Sequence, residues 1–135
     1  MKVWRWLMVL SLGLAACSEA VAQAASALNT EFTAQGLTFR LISQPALPVE
    51  GENTLSLWVS DAQGQPLTDA EIWFSYDMTN MSHGKPIVST HTQGDGLYIG
   101  AVDFRMPGPW RLTAVVQRPG QPSFDITFDF EVAAP

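Results

Sequence analysis

Cysteine is almost missing from this chain of 135 residues: there is one, Cys17. A single thiol excludes an internal disulfide framework and any zinc or iron–sulfur site built from several cysteines. Basic residues are scarce too, seven against thirteen acidic, for a formal net charge of −6. That balance argues against nucleic acid as a partner, because phosphate binding needs a clustered basic face. Histidine occurs only at His83 and His91, so any imidazole chemistry has two candidates. No apolar run approaches the roughly 20 residues a bilayer-spanning helix needs. What is present is a 47% hydrophobic chain of one-domain length, apolar enough to build a core and unlike a disordered acidic tail.

The first seventeen residues read as a targeting segment. Lys2 and Arg5 form a short positive stretch, and Trp6 to Leu14 (WLMVLSLGL) form an apolar run of nine. This suits the h-region of a secretory signal. Leu14-Ala15-Ala16-Cys17 follows at the right spacing and resembles the bacterial lipobox, in which the cysteine is acylated and becomes the new N-terminus. The expectation is a signal peptide at 1–16 and lipidation at Cys17. The mature chain then runs from Cys17 to Pro135 with five basic and thirteen acidic residues. Three acyl chains anchor a protein stably without spanning the membrane. Residues 17–30, half of them Ala or Ser and one a Gln, read as a tether. Ser18 after the cysteine resembles the pattern of outer-membrane rather than inner-membrane lipoproteins.

From Glu31 onward the hydrophobic period is two. Leu37, Phe39 and Leu41 alternate with Thr38 and Arg40; Leu55, Leu57 and Val59 share a parity, as do Ile72, Phe74 and Tyr76. Tyr98, Val102 and Phe104 form another set, then Trp110, Leu112, Ala114 and Val116, then Phe124, Ile126, Phe128, Phe130 and Val132. Such alternation marks strands with one face to a core and one to water. Turn chemistry separates the runs at Gly51-Glu-Asn53, Asp61 to Pro66, Gly94-Asp95-Gly96, Met106 to Pro109 and Arg118 to Pro122. The pattern predicts an all-β, antiparallel, immunoglobulin-like sandwich of about seven strands over 31–135. Its core is predicted to hold Leu55, Leu57, Val59, Ile72, Phe74, Val102, Phe104, Leu112, Ala114, Val116, Ile126, Phe128 and Phe130.

Enzyme templates find no match. No Gly-x-Ser-x-Gly elbow accompanies the histidines. Gly94-x-Gly96 precedes a strand, not a helix, so it is no phosphate loop. The carboxylates fall on polar strand positions or in turns, where a solvated face is the plain reading. The expectation is a non-enzyme.

One stretch departs from this pattern. Asp77-Met78-Thr79-Asn80-Met81-Ser82-His83-Gly84-Lys85-Pro86 reads as a polar loop, yet it holds two of the three methionines of the mature chain. Core methionines normally fill gaps within apolar runs. Two thioethers and an imidazole within six residues form a soft ligand set, and soft sulfur selects Cu(I). Packing offers the other reading: Met78 and Met81 tuck under the loop as a lid, with His83 a solvated turn residue. Spacing alone leaves both open.

The run Gly51-Glu-Asn-Thr-Leu-Ser-Leu-Trp-Val-Ser-Asp61-Ala-Gln-Gly64-Gln-Pro66-Leu-Thr-Asp69-Ala70-Glu-Ile resembles the FixH-like/YtkA-like family. So do Met78-x-x-Met81-x-His83, Gly96-Leu-Tyr98-x-x-x-Val102-x-Phe104 and Met106-x-Gly108-x-Trp110-Arg-Leu. The resemblance covers roughly residues 32 to 132 in order. It implies a small, membrane-tethered extracytoplasmic β-sandwich concerned with copper, with members that accompany cytochrome oxidase assembly or metal efflux. Position by position it implies Met78, Met81, His83 and Met106 as metal ligands, with Gly108 and Trp110 structural. The family loop often reads Met-Pro-x-Met-Gly-His, whereas Thr79 and Ser82 stand in those places here. FixH itself is usually held by a transmembrane helix, which this chain replaces with a lipobox-like cysteine. The expected function is a monomeric periplasmic lipoprotein that binds or passes Cu(I). The competing expectation is a metal-free scaffold or interaction module of an envelope assembly or efflux system.

Overall fold

The computed structural model describes residues 26–135; the expected signal peptide, Cys17 and most of the tether lie outside them. Among the described residues there is no helix, only nine strands in two antiparallel sheets. The first sheet is ordered β1 (Asn29–Ala34), β2 (Leu37–Gln44), β3 (Gly51–Asp61), β7 (Leu97–Phe104), β6 (His91–Gly94). The second is ordered β5 (Ile87–Ser89), β4 (Glu71–Met78), β8 (Gly108–Gln117), β9 (Phe124–Val132).

The period-two residues face each other between the sheets. Phe39, Leu41, Leu55, Leu57, Val59, Val102 and Phe104 from the first sheet meet Ile72, Phe74, Leu112, Ala114, Val116, Ile126 and Phe128 from the second, all buried. Ring contacts bridge the layers, Phe32 to Phe128 at 5.1 Å and Phe104 to Phe130 at 5.7 Å between centroids. Phe130, expected in the core, is half-buried. Its strand forms the free edge of its sheet, so one flank of the ring has no neighbouring strand to cover it.

Turns set the register. Gln35 and Gly36, with φ of 54° and 72°, close the β1–β2 hairpin, and Asp95 and Gly96, at 54° and 74°, close β6–β7. Positive φ at both central residues matches the right-handed strand twist. Gly96 has a second reason to be glycine, because a Cβ there would collide with the Val59 carbonyl oxygen. Between β8 and β9, Pro119 and Gly120 (φ 69°) form a turn in which the Gln121 amide donates to the Arg118 carbonyl at 3.2 Å.

Two more strands appear than the seven expected, and the domain starts earlier. β5 has three residues and β6 four exposed ones, too short to display alternation. β1 carries mostly exposed residues, and it begins at Asn29, not after residue 30. Leu28 before it is buried, and its amide donates to the Ala46 carbonyl at 2.8 Å. Two expected turns lie inside strands. Gly51 to Asn53 opens β3, where buried Asn53 bonds the Val49 amide and the Val49 and Gly51 carbonyls. Gly108 and Pro109 open β8.

The register places many segment ends together. Leu28 bonds Ala46, Gly51 pairs with Phe104, Ala133 bonds Pro48 and Glu50, Gly108 pairs with Val132, and Trp110 pairs with Met78. One end of the sandwich therefore holds the start of β1, the loop after β4, the β7–β8 turn and the end of β9.

Candidate functional site at the Met/His loop

The alternation of β4 continues further than the loop reading allows. Ile72, Phe74, Tyr76 and Met78 all point inward, and the strand ends at Met78. Met78 is only 7% exposed. Its terminal methyl fills the space over Gly108, where a Cβ would lie 2.8 Å from it. Gly108, at φ 132°, is thus glycine for two reasons. For Met78 the packing reading is what the structure displays, although the residue still borders an open groove of about 340 Å³ with Asp77, Thr79 and Lys85.

Met106 lies in the turn after β7 and is half-buried against the core. Its carbonyl accepts the Trp110 indole N–H at 3.0 Å. Trp110 in turn packs on Phe104 at 5.1 Å and Tyr76 at 6.0 Å. An aromatic floor of Tyr76, Phe104, Trp110 and Phe130 therefore underlies both methionines. The Tyr76 hydroxyl accepts the Asp103 amide at 3.1 Å, which ties β4 to β7 across the sheets.

Met81 and His83 behave differently. Both stand on the segment between β4 and β5, and both are exposed, Met81 at 47%. The segment is held where it leaves β4 and at its middle. At one, the Thr79 amide donates to the Pro109 carbonyl at 3.1 Å. At the other, Asp77 gathers the loop: Oδ1 accepts the Met78 amide at 2.9 Å and the His83 amide at 3.0 Å, and Oδ2 accepts the Ser82 hydroxyl at 2.7 Å. These bonds, the His83 amide first and the Ser82 hydroxyl next, hold the Asp77 carboxyl below its ordinary range, with Lys85 adding a smaller attraction. Asp77 spends its acceptor capacity on the loop itself. Reading the residue only as loop punctuation missed this role; a carboxylate followed five and six residues on by Ser and His is the only trace it leaves in the sequence.

The structure thus brings Met78, Met81, His83 and Met106 to one end of the sandwich, in two layers. Met78 and Met106 sit on the aromatic floor, while Met81 and His83 stand outside on a clamped loop. It does not bring His91 there. His91 follows Thr90, whose amide and hydroxyl donate to the Ile72 carbonyl at 3.2 and 2.5 Å. Ile72 lies six residues back along β4 from Met78, roughly 20 Å. Among the described residues no three His, Cys, Asp or Glu side chains gather as a metal cluster, so donors at this end are chiefly thioether sulfur and one imidazole. A set of that kind is neutral and soft, and it fits Cu(I) better than Zn(II) or a hard divalent ion.

Comparison with known proteins agrees with the architecture. The family model described as YtkA-like matches residues 31–115. The chain belongs to the YtkA-like family. Three solved structures share the YtkA-like fold at 10% sequence identity. A copper-bound variant of FetP from uropathogenic Escherichia coli strain F11 superposes with a TM-score of 0.58, over 81% of this chain and 97% of that one. A DUF4426 family protein from Pseudomonas aeruginosa PAO1 gives 0.56, over 78% and 95%. The PmoD soluble domain from Methylocystis sp. ATCC 49242 (Rockwell) gives 0.54, over 76% and 96%. No curated protein matches the chain by sequence. At this identity the structural likeness speaks for the fold alone.

Proposed function

We propose that this YtkA-like domain is a copper-binding lipoprotein of the bacterial cell envelope, exposed to the periplasm, which binds or passes Cu(I) through Met81 and His83. Met78 and Met106 are the further donors at the same end of the sandwich. The observation that carries this reading is Met81: an apolar side chain held 47% exposed beside an exposed histidine, on a loop clamped by four hydrogen bonds, three to Asp77 and one to the Pro109 carbonyl. A methionine with only a packing role has no reason to be fixed in water. The copper bound to the FetP variant with the same fold adds support. Copper here is cargo, and the role is binding, not catalysis.

The residues divide the work. His83 offers an imidazole nitrogen, a donor that suits copper. Met81 offers a polarizable sulfur in an oxidising compartment where a free cysteine would not stay reduced. Asp77 supplies no charge to the metal and keeps both donors on one short arc.

A second reading has its own observation. Ile87, which opens β5 just past the loop, is 70% exposed, and together with Met81 it would suit a protein contact in an oxidase-assembly or metal-efflux system. A competition titration against a weak Cu(I) chelator at neutral pH separates the two. The copper reading expects the purified protein to withdraw Cu(I) from the chelator at one equivalent. No withdrawal leaves the scaffold reading.

A further inference from the structure

We infer that the Met/His end of the sandwich is the end that faces the membrane, so that Met81 and His83 are presented within reach of a membrane-embedded partner and turned away from the open periplasm. The inference rests on the proposed copper site and on acylation at Cys17, and it adds a direction to them. Its basis is the strand register.

β1 enters the fold at Asn29, opposite Ile42 near the end of β2. Leu28 just before it is buried and bonded to Ala46 in the β2–β3 loop. From there the register leads across the same end: β3 starts at Gly51 against Phe104, Glu50 and Pro48 bond Ala133, and Val132 pairs with Gly108 next to Met78 and Trp110. The chain therefore leaves toward Cys17 from the end that carries Met78, Met81, His83 and Met106. The opposite end holds the β1–β2 turn, Gln63, the Asp95-Gly96 turn and the Pro119-Gly120 turn.

Chain length limits how far this end can stand from the anchor. Ten residues separate Cys17 from Leu28. Even fully extended, the eleven steps from Cys17 to Leu28 reach no more than about 40 Å. β1, which runs from this attachment point to the far turn at Gln35-Gly36, has six residues and is about 20 Å long at ~3.4 Å per residue. The far end of the sandwich thus starts one strand length further from the attachment point than the Met/His end does. A domain tethered at one end keeps that end nearer the bilayer on average, whatever its rotation about the tether. Tying Leu28 down by burial and a backbone bond prevents the attachment point from sliding toward the middle of the fold.

Energy transfer to labelled lipid tests this. The full-length acylated protein, metal-free, is placed in phosphatidylcholine–phosphatidylglycerol vesicles that carry an acceptor fluorophore on a fraction of the headgroups. A donor fluorophore is attached to a single new cysteine, at Asn80→Cys beside Met81 or at Gln63→Cys at the opposite end. Both positions are exposed, and an acylated Cys17 thiol takes no label. The inference expects transfer from position 80 to exceed transfer from position 63 at every acceptor density. Equal transfer, or the reverse order, overturns it. A mass spectrum without acyl chains on Cys17 overturns it as well and leaves the copper proposal untouched. Cu(I) titration of the unlabelled protein in the same vesicles reads the copper proposal by itself: the end can prove membrane-facing while copper fails to bind, and the reverse combination is equally visible.

Discussion

At the scale of single residues, the two methionines of the Met78/Met81 pair have opposite physical duties. Met78 continues the inward parity of its strand and fills the space Gly108 leaves open. Met81, three residues on, is held in water by a loop whose hydrogen bonds converge on Asp77. Truncating Met78 to alanine removes buried volume and is expected to cost about 2–5 kcal/mol of stability. Met81→Leu keeps most of the volume at an exposed position and is expected to leave the melting temperature of the metal-free protein nearly unchanged. His83→Ala behaves likewise. Each of these two is nevertheless expected to weaken Cu(I) binding by at least about tenfold, since soft donors are not replaced by water or hydrocarbon. Thermal melts alongside chelator competition check all three variants. A melting temperature that drops as far for Met81→Leu as for Met78→Ala would return Met81 to a packing role.

Strands give the next scale, and β9 displays the two-faced logic most plainly. Phe128 is buried with its ring 5.1 Å from Phe32, while Asp129 next to it faces outward and receives a bidentate pair of bonds from Arg111 on β8, at 2.7 and 2.8 Å. Phe128→Ala is expected to cost about 3–5 kcal/mol. Asp129→Ala loses an exposed ion pair and is expected to cost a small fraction of that. Arg111 holds the Asp129 carboxyl below its ordinary range, first by hydrogen bonding. A carboxyl depressed in the folded state stabilises above its unfolded value, near 3.8, and that contribution is lost as pH falls through the depressed value. The melting temperatures of wild type and Asp129→Asn are therefore expected to differ slightly at neutral pH and to converge as pH falls through the depressed value. A gap that widens in acid would contradict the pairing. High salt is expected to shrink the neutral-pH gap too, because the pair is exposed.

On the scale of the whole molecule, one end of a two-layer sandwich carries everything the proposed function needs: donors, aromatic floor and chain exit. The opposite end carries the β1–β2, β6–β7 and β8–β9 turns. The proposed acylation at Cys17 makes its own prediction about localisation. Cys17→Ala is expected to leave the protein unprocessed or to release it from the membrane, and mass spectrometry of membrane-extracted wild type is expected to show an acylated N-terminal cysteine. Unchanged membrane retention of the variant would remove the anchor and, with it, the membrane-facing orientation.

The sequence by itself determined the fold class, the sandwich core and the set of candidate donors, and the reason is local. A strand half-buried against a core must alternate every second residue, so parity reveals Phe39, Leu57, Phe74, Leu112 and Phe128 without any knowledge of their partners. Gly-containing turns reveal themselves by the backbone angles they require. Where burial does not follow parity, the sequence was mute. Three strands escaped it, β5 and β6 because they are short and exposed, and β1 because its burial depends on neighbours contributed by β2 and β9. Only the tertiary structure decided that Met78 is packed and Met81 free, that Asp77 binds the loop together, and that His91 lies about a strand length away. The Asp77 bonds span at most six residues but depend on the path the loop takes, and the others depend on contacts between segments distant in sequence or on a choice between two positions of the same residue type. The end of the sandwich shared by Leu28 and His83 is of the same kind: 55 positions separate them along the chain, and the cross-strand register alone brings them to one face.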